Sequence, residues 1–384
     1  MFGIIFTEKK TKKTVILLII LILVVINLAL YAVYTQKGLQ QNKDRPIDDS
    51  KGNMDEKEKF VVFPHKSINY YFHIIVHESV KRAVEARGWK FQSVVADFDS
   101  DRQINQFINF IPMKPDAIIS NPIDSDALVD VINKAADNEI PVCIVDTPTT
   151  GGNVTVTVSF DNFLAGKMAA EEIILRLKEK YGKARGTVFN AYGYLNSMAY
   201  RLRKKGFESV IKQYPNIRYI SMPGEGDLAK THDVFVKALE EYKEIDAVHC
   251  PSDTPARGIV EALKQIDRWK KINESEHIIF VTIDGDPAAL KYISKGYYDA
   301  SIVQDAISYG EIVGELLDNY ILSAESITLS SYKNDKYYWE EATIKNSASG
   351  LHVVIPPYVM DKSNYSDPRH WANIAEKEWG FEYR

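Results

Sequence analysis

Cysteine is nearly absent: 384 residues carry two, Cys143 and Cys250. Each sits in an apolar run, Pro-Val-Cys-Ile-Val and Ala-Val-His-Cys, that reads as a buried strand. They read as inert core thiols, which leaves the redox compartment open. A basic block outside the N-terminus is also missing. The formal net charge is −5 and is spread over both halves, which argues against a nucleic-acid partner. No G-x-G-x-x-G follows a strand, and neither G-x-x-x-x-G-K-[ST] nor G-x-S-x-G occurs, so dinucleotide, phosphate-loop and hydrolase-elbow chemistries lack their cradles. Pro223-Gly224-Glu225-Gly226-Asp227 is glycine-rich but reads as a strand-to-helix loop. His73 and His77 share a helical face with no third ligand nearby, so they read as helix surface or pocket edge rather than a metal pair. With no nucleophile, base or cofactor cradle in view, the expectation is a protein that is not an enzyme, with neither metal nor cofactor.

What is present begins with one long apolar run. Lys9, Lys10, Lys12 and Lys13 precede Val15 to Val33, a stretch broken only by Asn27. At about 1.5 Å rise per residue it approaches the ~20 residues that cross a bilayer. Leu30-Tyr31-Ala32 is a poor cleavage site, and no cysteine follows to accept a lipid. The expectation is an uncleaved anchor over 14–34, a cytoplasmic segment over 1–13 by the positive-inside rule, and a polar tether over 35–58. The remainder then lies outside the cell membrane.

From Lys59 onward, short β-branched runs such as Phe60–Phe63, Val142–Val145 and Ile278–Ile283 alternate with amphipathic segments such as Ile74–Arg87 and Leu164–Lys180. That alternation predicts an α/β fold with mostly parallel sheets. The strand number exceeds one sheet, and a second series starts near Asn162, which predicts two similar lobes. Tyr332–Asn346 breaks the pattern as an insertion or hairpin.

Polar residues recur where strands end: Asn121, Asp146, Asn190, Ser252, Asp284 and Gln304. Ligands of open parallel sheets bind at these carboxyl ends. Carboxylates and amides there suit a polyhydroxylated ligand, since each can make two hydrogen bonds. The same residue types also cap helices, and each of these positions precedes one.

Ordered motifs weigh against capping alone. Asn121-Pro122-Ile123-Asp124-Ser125-Asp126-Ala127, Ile140-Pro141-Val142-Cys143-Ile144-Val145-Asp146, Phe160-Asp161-Asn162-Phe163-Leu164-Ala165-Gly166, Val281-Thr282-Ile283-Asp284-Gly285 and Ser301-Ile302-Val303-Gln304 stand in register with the strand–helix order. Together they resemble the type I periplasmic binding proteins, in particular the ribose-binding branch of sugar receptors, from about Lys59 to Ser331. Asp367-Pro368-Arg369-His370-Trp371 is similar to the tail of related receptors. The resemblance implies a doubly wound, mostly parallel sheet in each lobe, and a ligand held by Asn69, Phe72, Asp146, Arg201, Asp284 and Gln304, with Tyr71 a neighbouring candidate; the strand-end residues Asn190 and Ser252 complete the expected set. In it Asp146 and Arg201 bind adjacent hydroxyls while Phe72 stacks on the ring.

The chain departs from that family where Thr147 replaces an arginine, Ser252 an asparagine, and Gly226 a stacking aromatic that Tyr192 or Tyr194 would have to supply. Ribose itself is therefore a poor expectation, and a small monosaccharide or polyol is the broader one. The expected lobes are 59–161 plus 305–331 and 162–304 plus 332–384, joined by crossings near Asp161-Asn162, after Gln304, and between Ser331 and Leu351. The expected partner is a membrane histidine kinase, with the permease of an ABC importer as the alternative.

Overall fold

A computed structural model describes residues 58–383. The anchor, the cytoplasmic segment and nearly all of the tether expected from the sequence lie outside the described residues. No described helix is long and apolar enough to cross a membrane.

The first series of elements is β1 (Phe60–His65), α1 (Tyr71–Glu85), β2 (Lys90–Val95), α2 (Ser100–Phe110), β3 (Ala117–Ser120), α3 (Val129–Asp137), β4 (Val142–Asp146) and β5 (Val156–Phe160). The second is α4 (Asn162–Tyr181), β6 (Gly186–Tyr192), α5 (Met198–Ile211), β7 (Ile217–Pro223), α6 (Leu228–Glu241), β8 (Ala247–Cys250), α7 (Asp253–Gln265), β9 (Ile279–Asp284), α8 (Pro287–Ser294) and β10 (Ala300–Val303). The chain ends with α9 (Ser308–Leu316), β11 (Ser331–Lys333), β12 (Glu341–Ser347), β13 (Gly350–Ile355), β14 (Tyr358–Met360) and α10 (Trp371–Lys377).

Two mixed sheets result, one per lobe. The first runs β11-β12-β13-β5-β4-β3-β1-β2 and the second β14-β10-β9-β8-β6-β7. Within the first, β1 to β5 and β13 pair in parallel, and β11 and β12 add antiparallel. In the second only β14 is antiparallel. Helices cover both faces of the first sheet: Val61 and Phe63 pack into one apolar cluster, Val62, Ile118 and Ile144 into another. That two-sided burial is why these strands are continuous apolar runs rather than alternating ones. Truncating one such side chain, as in Ile118→Ala, costs about 2–5 kcal/mol.

The hairpin segment corrects the expected lobe boundaries. Residues 331–355 join the first lobe, not the second. Leu351–Ile355 pairs in parallel with Val156–Phe160, which sets β13 beside β5 in the first sheet. Tyr337 and Trp339 stack at 5.1 Å, and the Trp339 indole donates to Asp305 at 2.8 Å, which pins the hairpin to the chain just before α9. The last crossing between lobes therefore lies at Pro356-Pro357, between β13 and β14, rather than between Ser331 and Leu351. The other two lie at β5–α4 and after Gln304, because α9 packs on α1, β4 and β5 of the first lobe.

Candidate functional site

The carboxyl ends of both sheets face one cavity of about 370 Å³, within the ~300–1,000 Å³ usual for small-ligand sites. On the first-lobe side, β1 runs out into Lys66, a buried lysine whose ammonium donates to Asp146 at 3.2 Å and Thr147 at 2.7 Å. Asp146 ends β4 with φ of 63°, and the Thr147 amide donates back to the Val145 carbonyl at 2.8 Å. This strained γ-turn turns the carboxylate off the sheet and into the cavity. Phe72 and His73, in the first turn of α1, complete that wall with Tyr70 and Phe98.

Arg203 organises the second wall. It lies on the buried face of α5 and donates to Asn162 at 2.8 Å, the Pro251 carbonyl at 2.5 Å, Asp284 at 3.2 Å, and Gln304. Its position follows from the crossover motif. Asp161 caps α4 by accepting from the Leu164 amide, Asn162 receives Arg203, and Gly166 lets α5 approach so closely that any Cβ there would overlap the Arg203 carbonyl oxygen. Ser252 donates to the other Asp284 oxygen at 2.6 Å. Gln304, at the end of β10, donates to Asp146 at 2.8 Å. Lys66, Asp146, Gln304, Arg203, Asp284 and Ser252 thus form one connected chain of buried polar groups across both lobes.

Burial and charge compete within this chain. Burial would raise the Asp146 carboxyl, but Lys66 foremost, with His73 and Arg203, holds it below its usual value. Burial likewise pulls the Lys66 ammonium down, with Asp146 opposing. Asp284 is pushed up to about 6 by burial, despite Arg203 beside it. Burial first, then the neighbouring cation Lys66, lowers His73 to about 3, so it meets a ligand as a neutral imidazole.

The cleft is shut in this structure. The Asp124-Ser125-Asp126 loop after β3 docks against the second lobe: Asn196 donates to Asp124 at 2.7 Å, the Ser125 amide to the Asn196 carbonyl at 3.0 Å, the Met198 amide to the Ser125 hydroxyl at 2.8 Å, and Arg201 pairs with Asp126 at 3.1 Å. The Asn121–Ala127 motif is therefore a latch across the cleft. Asn121 itself is fully buried, with neither side-chain polar atom partnered among the described residues.

Five of the residues expected at the site come together there: Phe72, Asp146, Ser252, Asp284 and Gln304. Four do not line the cavity. Asn69 is exposed on the loop before α1. The Tyr71 hydroxyl donates to the Phe381 carbonyl at 2.6 Å, because one residue along a helix turns its side chain about 100° away from Phe72. Asn190 is buried inside the second lobe, donating to Tyr219. Arg201 is on the outer latch, and Arg203 holds the place expected of it. The signal for Arg203 was present in helical spacing: Ala199, Arg203, Gly206, Phe207 and Val210 recur at three and four residues and form the buried face. Lys66 and Tyr200 were missed as well, since lysine after a buried strand ordinarily stays solvated, whereas His73 stands at the cavity wall, the pocket-edge half of its sequence reading. Tyr194, not Tyr192, stands at the wall near Gly226.

A two-lobed cleft, strand-end polar groups from both sheets, and hinge-like crossings define a ligand-binding protein of the bilobal α/β class. The chain belongs to the periplasmic binding protein domain family, whose signature matches residues 60–325. It is 29% identical to the galactofuranose-binding protein of Escherichia coli K12, over 74% of this chain and 85% of that one. It is 26% identical to the ribose import binding protein of Bacillus subtilis, over 70% of this chain and 84% of that one. A carbohydrate transporter solute binding protein from Agrobacterium radiobacter, solved with D-arabinose, has the same fold: TM-score 0.69, 19% identity, covering 83% of this chain and 99% of that one.

Proposed function

We propose that the protein binds a small sugar or related polyol between its lobes and holds it by cleft closure, without converting it. The connected polar chain from Lys66 to Ser252 carries this reading. It offers charge-assisted partners to adjacent hydroxyls from both lobes at once, while Phe72 and Tyr200 offer flat apolar faces to a ring. A ligand that touches both lobes favours the closed state by that difference in contacts. The test is calorimetry of the purified protein against D-ribose, D-arabinose, D-allose and galactofuranose, with chromatography of the sugar afterwards. Saturable binding with the sugar recovered unchanged supports the reading. Turnover, or no heat from any of these sugars, overturns it.

Delivery to an ABC importer is supported by the relatives named for import and transport. A membrane-anchored sensor partnered with a histidine kinase is the second reading, supported by the lysine-flanked apolar run Val15–Val33. Deleting the gene distinguishes them: an importer component loses uptake of labelled sugar, whereas a sensor loses the sugar-induced transcriptional response with uptake intact. Anchoring at the cell membrane is expected in both. N-terminal sequencing of protein from membranes should find a chain that starts ahead of the apolar run, before Val15, and a mature chain beginning near Val33 would rule the anchor out.

A further inference from the structure

The final residues, from Trp371 to Tyr383, join groups of both lobes outside the latch. Trp371 is fully buried at the start of α10, which packs on α8 of the second lobe. Its indole N–H donates to the Asp284 carbonyl at 2.8 Å. Asp284 has φ of 122°, a backbone region that a residue with a side chain holds only under outside constraint. The same indole meets Phe72 edge-on at 5.7 Å and Tyr71 at 6.0 Å, both on α1 of the first lobe. One side chain therefore touches the backbone behind one cavity carboxylate and the ring of the cavity aromatic opposite.

Beyond α10 the chain returns to the first lobe. The Arg82 guanidinium on α1 lies over the Trp379 ring at 4.7 Å, and the Tyr71 hydroxyl donates to the Phe381 carbonyl. Tyr383 then meets Tyr71 edge-on at 5.3 Å and accepts from Arg257, on α7 of the second lobe, at 3.2 Å. Chain continuity through the second lobe at one end and α1 contacts at the other make this segment a bridge between the two lobes.

We propose that residues 371–383 form a strap that stabilises the closed cleft, with Trp371 the positioning residue that sets Phe72 and Asp284 for the ligand. The strap rests on the cleft-closure reading but not on the ligand being a sugar. Opening must break the α1 contacts of Tyr71, Arg82 and Phe72 with the tail, so the tail's loss shifts the equilibrium toward the open form before any ligand is added. Trp371 also couples the tail to binding itself, since moving its indole displaces both cavity groups.

The test uses hydrogen exchange of the full chain without ligand. The Ser125 amide donates across the cleft to Asn196, and the Met198 amide across it to Ser125, so their exchange reports opening directly. Two variants are compared with the parent: removal of residues 379–384, and the double substitution Tyr71→Phe with Arg82→Ala, which leaves the tail whole. Exchange at Ser125 and Met198 should quicken by about tenfold in both, with amides of β4 and β9 unchanged. Unchanged exchange at Ser125 and Met198 in the double variant overturns the strap, whatever the truncation does. So does quickening spread equally over β4 and β9, which marks general loss of stability. Trp371→Phe, which keeps a ring but loses the donor to Asp284, should weaken binding of whichever panel sugar binds by about tenfold. Binding equal to the parent's would remove the positioning role. Failure of every sugar to bind would leave the exchange result standing on its own.

Discussion

Arg203 and Arg201 lie two residues apart on α5, and substituting each by alanine separates the site from the latch. Arg203 is 3% exposed and donates to Asn162, Pro251, Asp284 and Gln304. Arg203→Ala leaves the Asp284 carboxylate without its cation in a buried setting, a loss of about 3–5 kcal/mol in stability. That is a large share of the roughly 5–15 kcal/mol that holds a domain folded. Binding should weaken by about 30-fold or more, from the ~2–5 kcal/mol that loss of a buried charged partner costs. The deficit should shrink at low pH, because Asp284, already pushed up to about 6, can take a proton and cease to need a partner. Arg201→Ala removes a pair whose side chains are 34% and 59% exposed, at a cost of less than about 1 kcal/mol. Urea unfolding followed by tryptophan fluorescence at pH 5 and pH 8, with calorimetry for the sugar, measures both variants. An Arg201→Ala loss equal to or larger than that of Arg203→Ala would refute the assignment.

Gly166→Ala should destabilise the protein by about 1–3 kcal/mol or more, read as a lower melting temperature, since the added Cβ meets the Arg203 backbone and pushes α4 from α5; a neutral effect would mean that the helices have room. Stability should fall as pH rises from 5 to 8: Asp286 is pushed up to about 7 and Asp284 to about 6, each by burial first, so the folded chain keeps protons that unfolded carboxylates near 3.9 release. Their contribution is whole below about pH 4 and is lost through pH 6 to 7, whereas that of Asp146, held below its usual value, is lost on acidification. Asp286→Asn should flatten the alkaline fall in urea midpoint, and a parent that gains stability from pH 5 to 8 would contradict it. Lys66→Met should weaken sugar binding by about 30-fold through its Asp146 and Thr147 contacts, and calorimetry within a few-fold of the parent would place Lys66 outside the site.

The α/β class, the two-lobed arrangement and five of the cavity residues were legible in the chain because their signals are local. A β-branched run such as Val142–Val145 followed by Asp146 declares both a covered strand and its polar end, and burial on both faces leaves no alternative periodicity. Arg203 was half legible. Its spacing from Ala199, Phe207 and Val210 is that of a buried helical face, yet the sequence reading settled on Arg201, and only geometry distinguishes the one that meets Asp284 from the one that meets Asp126.

What sequence alone determined were the properties carried by a few neighbouring residues: strand and helix periods, the crossover motif from Asp161 to Gly166, and the carboxylates at strand ends. What tertiary structure alone decided depended on residues far apart along the chain. Lys66 became buried because Asp146, 80 positions later, returns to the neighbouring part of the sheet and supplies the charge that makes burial tolerable. The segment 331–355 joined the first lobe because β13 found an open edge beside β5, a pairing that no local pattern specifies. Trp371 reached Phe72 and Asp284 at once because the chain had already crossed between lobes three times. Local propensity fixes how a segment folds, while its partner is chosen by which apolar edges and unpaired charges the rest of the fold leaves free.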